Sequence, residues 1–159
     1  MNVMKPTRAL DLTANVLVAA VVAWVATRWA YSSFPPITVI AGASLYPVAA
    51  LEAVLAFMIR TRVHDDRIGD GPKQLHPITA ARAVALAKAS ALVGSLAAGV
   101  WLGFLIWVFP QRSALRAAAA DTPGAIVGLI AGLALVAAAL WLEYCCRAPS
   151  EPPDEPATP

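Results

Sequence analysis

Four long apolar runs constrain the fold of this chain more than any other feature of its sequence. A helix that crosses the hydrocarbon core of a bilayer needs about 20 mostly apolar residues, and each run is that long. Lipid is a suitable solvent for such a chain, because 59% of the residues are hydrophobic, 14% are charged and the mean hydropathy is +0.66. The runs lie at about 10–31, 37–59, 83–109 and 123–144. We therefore predict an all-α membrane protein in which four transmembrane helices form an up-down bundle.

One transmembrane domain, residues 1–147, and a short tail account for the chain. The tail, 148–159, is acidic, rich in proline and too poor in apolar groups to fold, so we predict that it is disordered. Basic residues precede the first run as in a secretory signal. That run, however, continues to Tyr31 and carries Arg28 where small residues would mark a cleavage site. We interpret it as a retained helix.

Prolines predict where the helices turn, bend and begin. Pro35 and Pro36 lack backbone donors and disfavour helix at the preceding residue, so we expect a tight turn and a hairpin of the first two helices. Pro47 lies within the second run and predicts a kink. Asp121 followed by Pro123 is a pattern typical of a helix start, so the fourth helix is expected to begin at about 123.

Basic residues are distributed unevenly between the two ends of the predicted helices, with eight at one end and three at the other. By the positive-inside rule, we predict a multi-pass protein of the cytoplasmic membrane with both termini cytoplasmic. The net charge of +2 is too small to indicate nucleic-acid binding. The eight comprise Arg60, Arg62, Arg67, Lys73 and Arg82 of a basic central loop together with Lys5, Arg8 and Arg147, and the three are Arg28, Arg112 and Arg116.

Small residues recur at every fourth position in the third and fourth runs. Such a pattern forms a groove in which two helix backbones approach closely, and packing of this kind drives helix association in lipid. The sequence leaves open whether the two grooves are filled within one chain or join two chains. The third run contains Ser95, Gly99 and Gly103, and the fourth contains Gly124, Gly128 and Gly132.

Two ionisable residues, Glu52 and Lys88, lie inside apolar runs at similar depth. At a rise of 1.5 Å per residue, each is about 10 Å from the same membrane face, so we predict an ion pair that fixes the second helix against the third. Two alternatives are that Glu52 binds and releases a proton or cation during transport, or that the side chains reach the interface unpaired. Glu143, near the end of the fourth run, is predicted to lie at the interface.

The central loop also contains potential metal ligands, namely His64, Asp65, Asp66, Asp70 and His76. Their spacing matches no closed metal site, and glycines and prolines interrupt the segment, so we predict no metal and no cofactor. Both histidines lie in this loop without a serine close by, and the two cysteines of the chain are adjacent to each other. Because no arrangement of nucleophile and base can be assembled, we predict that the protein is not an enzyme.

Several short segments carry a family resemblance. They are Phe34-Pro35-Pro36-Ile37-Thr38, Leu75-His76-Pro77 with Ala81-Arg82, Lys88-Ala89-Ser90, Asp121-Thr122-Pro123-Gly124-Ala125, and Cys145-Cys146-Arg147 leading into Pro152-Pro153-Asp154-Glu155. Together they resemble the actinobacterial family of small integral membrane proteins known as domain of unknown function 3180. The resemblance implies a four-helix membrane protein without an assigned activity or catalytic residues, whose genes often lie beside folate-biosynthesis genes.

We therefore expect a structural or interaction component of the cytoplasmic membrane. Its expected partners are the lipid bilayer, with anionic lipid at the basic loop, and either a second copy of the chain or another membrane protein. The alternative is a small dimeric transporter coupled to protons or cations through Glu52, by analogy with other four-helix carriers. Alanines surround Glu52 in the sequence, whereas aromatic residues would be expected near the carboxylate of such a carrier.

Overall fold

Helices account for almost all of the described chain. The computed structural model describes residues 9–64 and 77–146. A single turn of 3-10 helix, Tyr31–Ser33, follows the first helix. The helices are α1 (Ala9–Ala30), α2 (Val39–Ala43), α3 (Tyr46–His64), α4 (Pro77–Gln111) and α5 (Arg116–Cys145).

Four segments are long and apolar enough to cross a membrane, and they correspond to the four predicted runs. They are Ala9–Ser33, Val39–Thr61, Ala81–Gln111 and Arg116–Cys145. This agreement supports a multi-pass membrane protein, because length and hydropathy are the properties that a spanning helix requires.

The second and fourth predicted helices differ in detail from the observed ones. Pro47 does not kink a continuous helix, because the chain turns at residues 44–45 and Pro47 then lies in the first turn of α3, where its missing N–H has no partner to lose. The fourth helix begins at Arg116 rather than at about 123. Its N-cap, Leu115, has an extended backbone and makes no side-chain capping bond, and Pro123 lies inside the helix.

The helices form a row in the order α1, α4, α5, α3. The central pair, α4 and α5, packs along its length, while α1 packs on α4, and both α2 and α3 pack on α5. The two helices at the ends of this row, α1 and α3, have no extensive contact with each other. The expected hairpin is therefore wrong as a packing unit, since the turn after α1 carries the chain to the far side of α5.

Helix α1 occupies the groove that the glycines of α4 form. A Cβ atom added at Gly99 would lie 2.5 Å from the carbonyl oxygen of Val16, and one at Gly103 would overlap the carbonyl oxygen of Ala20. Because van der Waals packing requires such close approach between helices in lipid, only glycine fits at these positions. The residue numbers of the contacts rise together along α1 and α4, so these two helices run in the same direction.

The groove that the glycines of α5 form is occupied by α4 and by the segment before α3. A Cβ atom added at Gly132 would lie 2.8 Å from the backbone nitrogen of Ala98, Gly128 lies against the Trp101 ring, and Gly124 lies against the loop preceding α2. The residue numbers fall along α5 as they rise along α4, so these two helices are antiparallel. Both small-residue grooves are therefore occupied within one chain and are not left open for a second chain.

Candidate functional site

A buried carboxylate on α3 is the most unusual polar group among the described residues. Glu52 is on the same face of α3 as Ala49, Ala56 and Ile59, all of which are buried, and their spacing of three and four residues defines one side of a helix. Its side chain is 0% exposed. Because this face of α3 packs on α5 and on Ala87 of α4, the carboxylate lies inside the bundle and not on its outer surface.

Neither carboxylate oxygen of Glu52 has a hydrogen-bond partner among the described residues. The side chain of Ser90, on α4, interacts with the carboxylate, but at a geometry outside that of a hydrogen bond. A buried polar group without a partner costs free energy, and an ionised one costs far more. The site therefore favours the uncharged form of Glu52 or a ligand that supplies the missing bonds.

The predicted ion pair between Glu52 and Lys88 is not formed as a hydrogen-bonded pair. Lys88 is half-buried on α4, and both it and Glu143 make polar interactions of their own. Glu143 is only 5% exposed, so neighbouring helices cover its side chain, and its place at the membrane–water interface stays a prediction. Ala91 packs with Ala139 in one cluster, and this antiparallel register places Lys88 and Glu143 at one level of the interface between α4 and α5.

The remaining predicted site residues lie apart from Glu52 or outside the described residues. Ser95 is fully buried, but its hydroxyl donates to the carbonyl of Leu92, 2.8 Å away in its own helix, and so does not join two helices.

In the basic loop, Arg60 and Arg82 are exposed on α3 and α4, and Arg62 belongs to α3. Arg67 and Lys73 lie outside the described residues, as do Asp65, Asp66, Asp70 and His76 of the potential metal ligands.

No group of three or more potential metal ligands occurs within residues 9–64 and 77–146. The two cysteines at the end of α5 are both free thiols, Cys145 buried and Cys146 half-buried.

Another buried carboxylate, Asp121, organises the opposite end of the bundle. Its Oδ2 accepts a hydrogen bond from the Tyr31 hydroxyl at 2.8 Å, and its Oδ1 accepts one from the backbone N–H of Ile37 at 2.9 Å. The Tyr31 ring also packs on Trp107, with 4.5 Å between ring centroids. Asp121 therefore fastens the turn between α1 and α2 to α5, and both of its oxygens are occupied.

The contact between Asp121 and the turn after α1 was not predicted from the sequence, although two segments pointed to it. The segment Phe34-Pro35-Pro36-Ile37-Thr38 and the segment Asp121-Thr122-Pro123-Gly124-Ala125 were both among those that carry the family resemblance, and the structure brings the two together. Asp121 was interpreted as a helix-start residue. It lies instead inside α5, where its side chain is 6% exposed and accepts hydrogen bonds from the turn between α1 and α2.

Comparison with known proteins identifies the family. A family model described as "Protein of unknown function (DUF3180)" matches residues 12–150. Searches of curated proteins and of solved structures found no match. The family match covers most of the described helices, including the buried carboxylates Glu52, Asp121 and Glu143. The chain therefore belongs to the DUF3180 family of proteins of unknown function.

Proposed function

We propose that this protein is a structural or interaction component of the cytoplasmic membrane, with both termini and the central loop on the cytoplasmic side, and that it is not an enzyme. The distribution of charge supports the orientation. Arg60 and Arg82 lie at the end of the bundle where α3 ends and α4 begins, next to the rest of the basic loop, whereas Arg28, Arg112 and Arg116 lie at the other end.

The observation that carries the proposal is the open row of helices. A closed four-helix bundle gives each helix two neighbours, but here α1 packs chiefly on α4, and α3 chiefly on α5. The outer side of α3 presents Leu51, Val54 and Phe57, which are 59%, 58% and 61% exposed. Each edge helix therefore offers a long apolar flank to a helix of a second copy or of another membrane protein.

The glycine grooves do not supply this surface. Gly99, Gly103 and Gly132 are already filled by backbone of the same chain, so a partner helix could enter there only by displacing α1 or α4. Association is expected along α1 and α3 instead.

Disulfide cross-linking in native membranes tests the proposal. In a variant without Cys145 and Cys146, single cysteines would replace Leu51 on α3 and Val21 on α1, with Leu133 on the central helix α5 as the matched control. All three positions are exposed, at 59%, 61% and 52%. We expect dimers, or adducts with one specific partner, at an edge helix and few at Leu133→Cys.

Equal cross-linking at all three positions would contradict the proposal. So would affinity purification in mild detergent that recovers a monomer with no enriched partner. Topology reporters fused to each terminus test the orientation separately, and a reporter active only outside the cytoplasm would overturn it.

A second candidate function rests on Glu52. An unpartnered carboxylate inside a membrane bundle is a feature of proton- and cation-coupled carriers, and this is the observation that favours a small dimeric transporter. Against it, the buried residues next to Glu52 on α3 are Ala49 and Ala56, which offer no polar path. In proteoliposomes with an imposed pH gradient, the transporter hypothesis requires a cation or proton flux that Glu52→Gln abolishes. The interaction hypothesis requires none.

A further inference from the structure

An apolar cleft lies between α1 and α4 near the turn that follows α1. Its volume is about 530 Å³, and it is open along one side. Val22 and Ala23 belong to the α1 wall and Val100 and Trp101 to the α4 wall. Val22 is 62% exposed and Val100 is 48% exposed although both line the cleft, so the open side faces the surroundings of the bundle.

The side chains that line the cleft are apolar apart from the Thr27 hydroxyl and the indole N–H of Trp101. The Thr27 hydroxyl donates to the carbonyl of Ala23, 2.7 Å away in the same helix. Water needs two to four polar partners to be stable in a cavity, and a polar ligand would lose its own hydrogen bonds there. The cleft therefore fits a hydrocarbon chain, and a chain can enter from the side.

Asp121 fixes the closed end of the cleft. Phe34 and Ile37 line the cleft at this end, and the backbone N–H of Ile37 donates to Asp121 while the Tyr31 hydroxyl does the same. Hydrogen bonds to a carboxylate are stronger than those between neutral groups. The turn that closes the cleft is therefore held in place by α5 and does not depend on an occupant.

The charges around this end are positive. Arg28 follows Thr27 directly and is exposed, with its guanidinium 5.8 Å from the centroid of the Trp24 ring. Arg112 is exposed and lies 4.0 Å over the ring of Phe109. The acidic residue in the described part of this end, Asp121, is buried and already accepts two hydrogen bonds. The exposed charge at this end complements an anionic head group.

We propose that the cleft between α1 and α4 binds one acyl chain of an anionic phospholipid, with the lipid phosphate at the level of Arg28 and Arg112. The chain enters through the open side and lies against Trp101. Phe34 and Ile37 limit its position toward the membrane surface.

Photo-cross-linking tests the proposal on the full chain in phosphatidylcholine nanodiscs. The probes are phosphatidylglycerol and phosphatidylcholine, each with a photoreactive group in one acyl chain, and mass spectrometry locates the labelled residues. Ala23→Phe fills the cleft. Ala137→Phe, at an exposed position of α5, is the matched control. Arg28→Gln together with Arg112→Gln removes the charge.

We expect phosphatidylglycerol to label the cleft walls at least threefold more than the exposed face of α5. We also expect Ala23→Phe to lower cleft labelling at least threefold, Ala137→Phe to leave it unchanged, and the arginine variant to bring it down to the phosphatidylcholine level. Labelling spread evenly around the bundle overturns the cleft as a binding site. Equal labelling by both lipids of the wild-type chain overturns the anionic selectivity, and this comparison needs no variant to fold.

Discussion

Replacing Glu52 by methionine should stabilise the protein. The substitution keeps a long unbranched side chain of similar size and removes a carboxylate that is 0% exposed and has no hydrogen-bond partner for either oxygen. Because the native carboxylate makes no hydrogen bond that the variant would lose, and only a weaker interaction with Ser90, the change removes a desolvation penalty without opening a cavity. Buried charges in proteins can often be replaced by apolar residues at no cost or with a gain.

The size of the effect depends on whether Glu52 carries a charge in the native protein. A neutral buried group without a partner costs about 1–3 kcal/mol, and a charged group at the bilayer centre costs about 2.5–3.5 kcal/mol on insertion scales. Glu52 lies about 10 Å from the membrane face and therefore about 5 Å from the centre of a hydrocarbon core about 30 Å thick, so the cost of the charged form is close to this insertion value. We expect Glu52→Met to raise the free energy of unfolding by about 1–3 kcal/mol.

Reversible unfolding in mixed micelles of mild detergent and dodecyl sulfate measures this quantity. Glu143→Met is the matched control, because Glu143 is also a buried carboxylate at 5% exposure but has a polar interaction. Its replacement should destabilise the protein. A loss of stability in Glu52→Met of more than about 1 kcal/mol, the net value of an ordinary hydrogen bond, would refute the reasoning. In that event a double-mutant cycle with Lys88→Met would show whether the ion pair predicted from the sequence forms after all.

Three further perturbations test the packing and the polar contacts. Gly103→Leu should destabilise the protein by about 1–3 kcal/mol or more, since its Cβ would overlap the carbonyl oxygen of Ala20; unchanged stability in the same unfolding assay would contradict the α1–α4 packing. Lys88 and Glu143 should show a favourable coupling of about 0.5–3 kcal/mol in a double-mutant cycle, and additive effects would show that they do not interact with each other. Tyr31→Phe should cost about 1.5–3 kcal/mol, the value of a hydrogen bond to a charged group; a loss below about 0.5 kcal/mol would mean that Asp121 does not depend on this donor.

The sequence was sufficient to predict the spanning segments because hydropathy and length decide them locally. The start of α5 was wrong because Asp121-Thr122-Pro123 is typical of the first turn of a helix, and local pattern cannot show that the same residues continue one. In the structure the Thr122 hydroxyl donates to the carbonyl of Ala118 at 2.6 Å. The helix before Pro123 is therefore part of α5, and the side chain of Asp121 is directed to a turn 84 residues earlier in the chain.

Adjacency of helices was the information that the sequence lacked. Glu52 and Lys88 have similar depth, and depth follows from counting residues, but depth does not decide which helices touch. Consecutive helices joined by short turns are usually neighbours, and that expectation led to a hairpin of α1 and α3. The observed row places α5 between α3 and most of α4. Glu143, which is on α5, lies at the level of Lys88 by the register of α4 and α5, whereas Glu52 meets α4 at Ser90.

Two of the buried carboxylates, Asp121 and Glu52, differ in what the fold requires of them. Asp121 accepts two hydrogen bonds that join three parts of the chain, so its burial is explained by the structure that it stabilises. Glu52 accepts none, and an apolar side chain of similar size would satisfy the same position at lower cost. The fold alone therefore does not explain Glu52. Because Glu52 lies on the edge helix that we propose as an association surface, a partner that shifts α3 relative to α5 would change the surroundings of this carboxylate directly. If Glu52→Met loses partner cross-linking while it gains the expected stability, the buried carboxylate serves the association of α3 with its partner. Unchanged cross-linking would show that Glu52 has no part in that association.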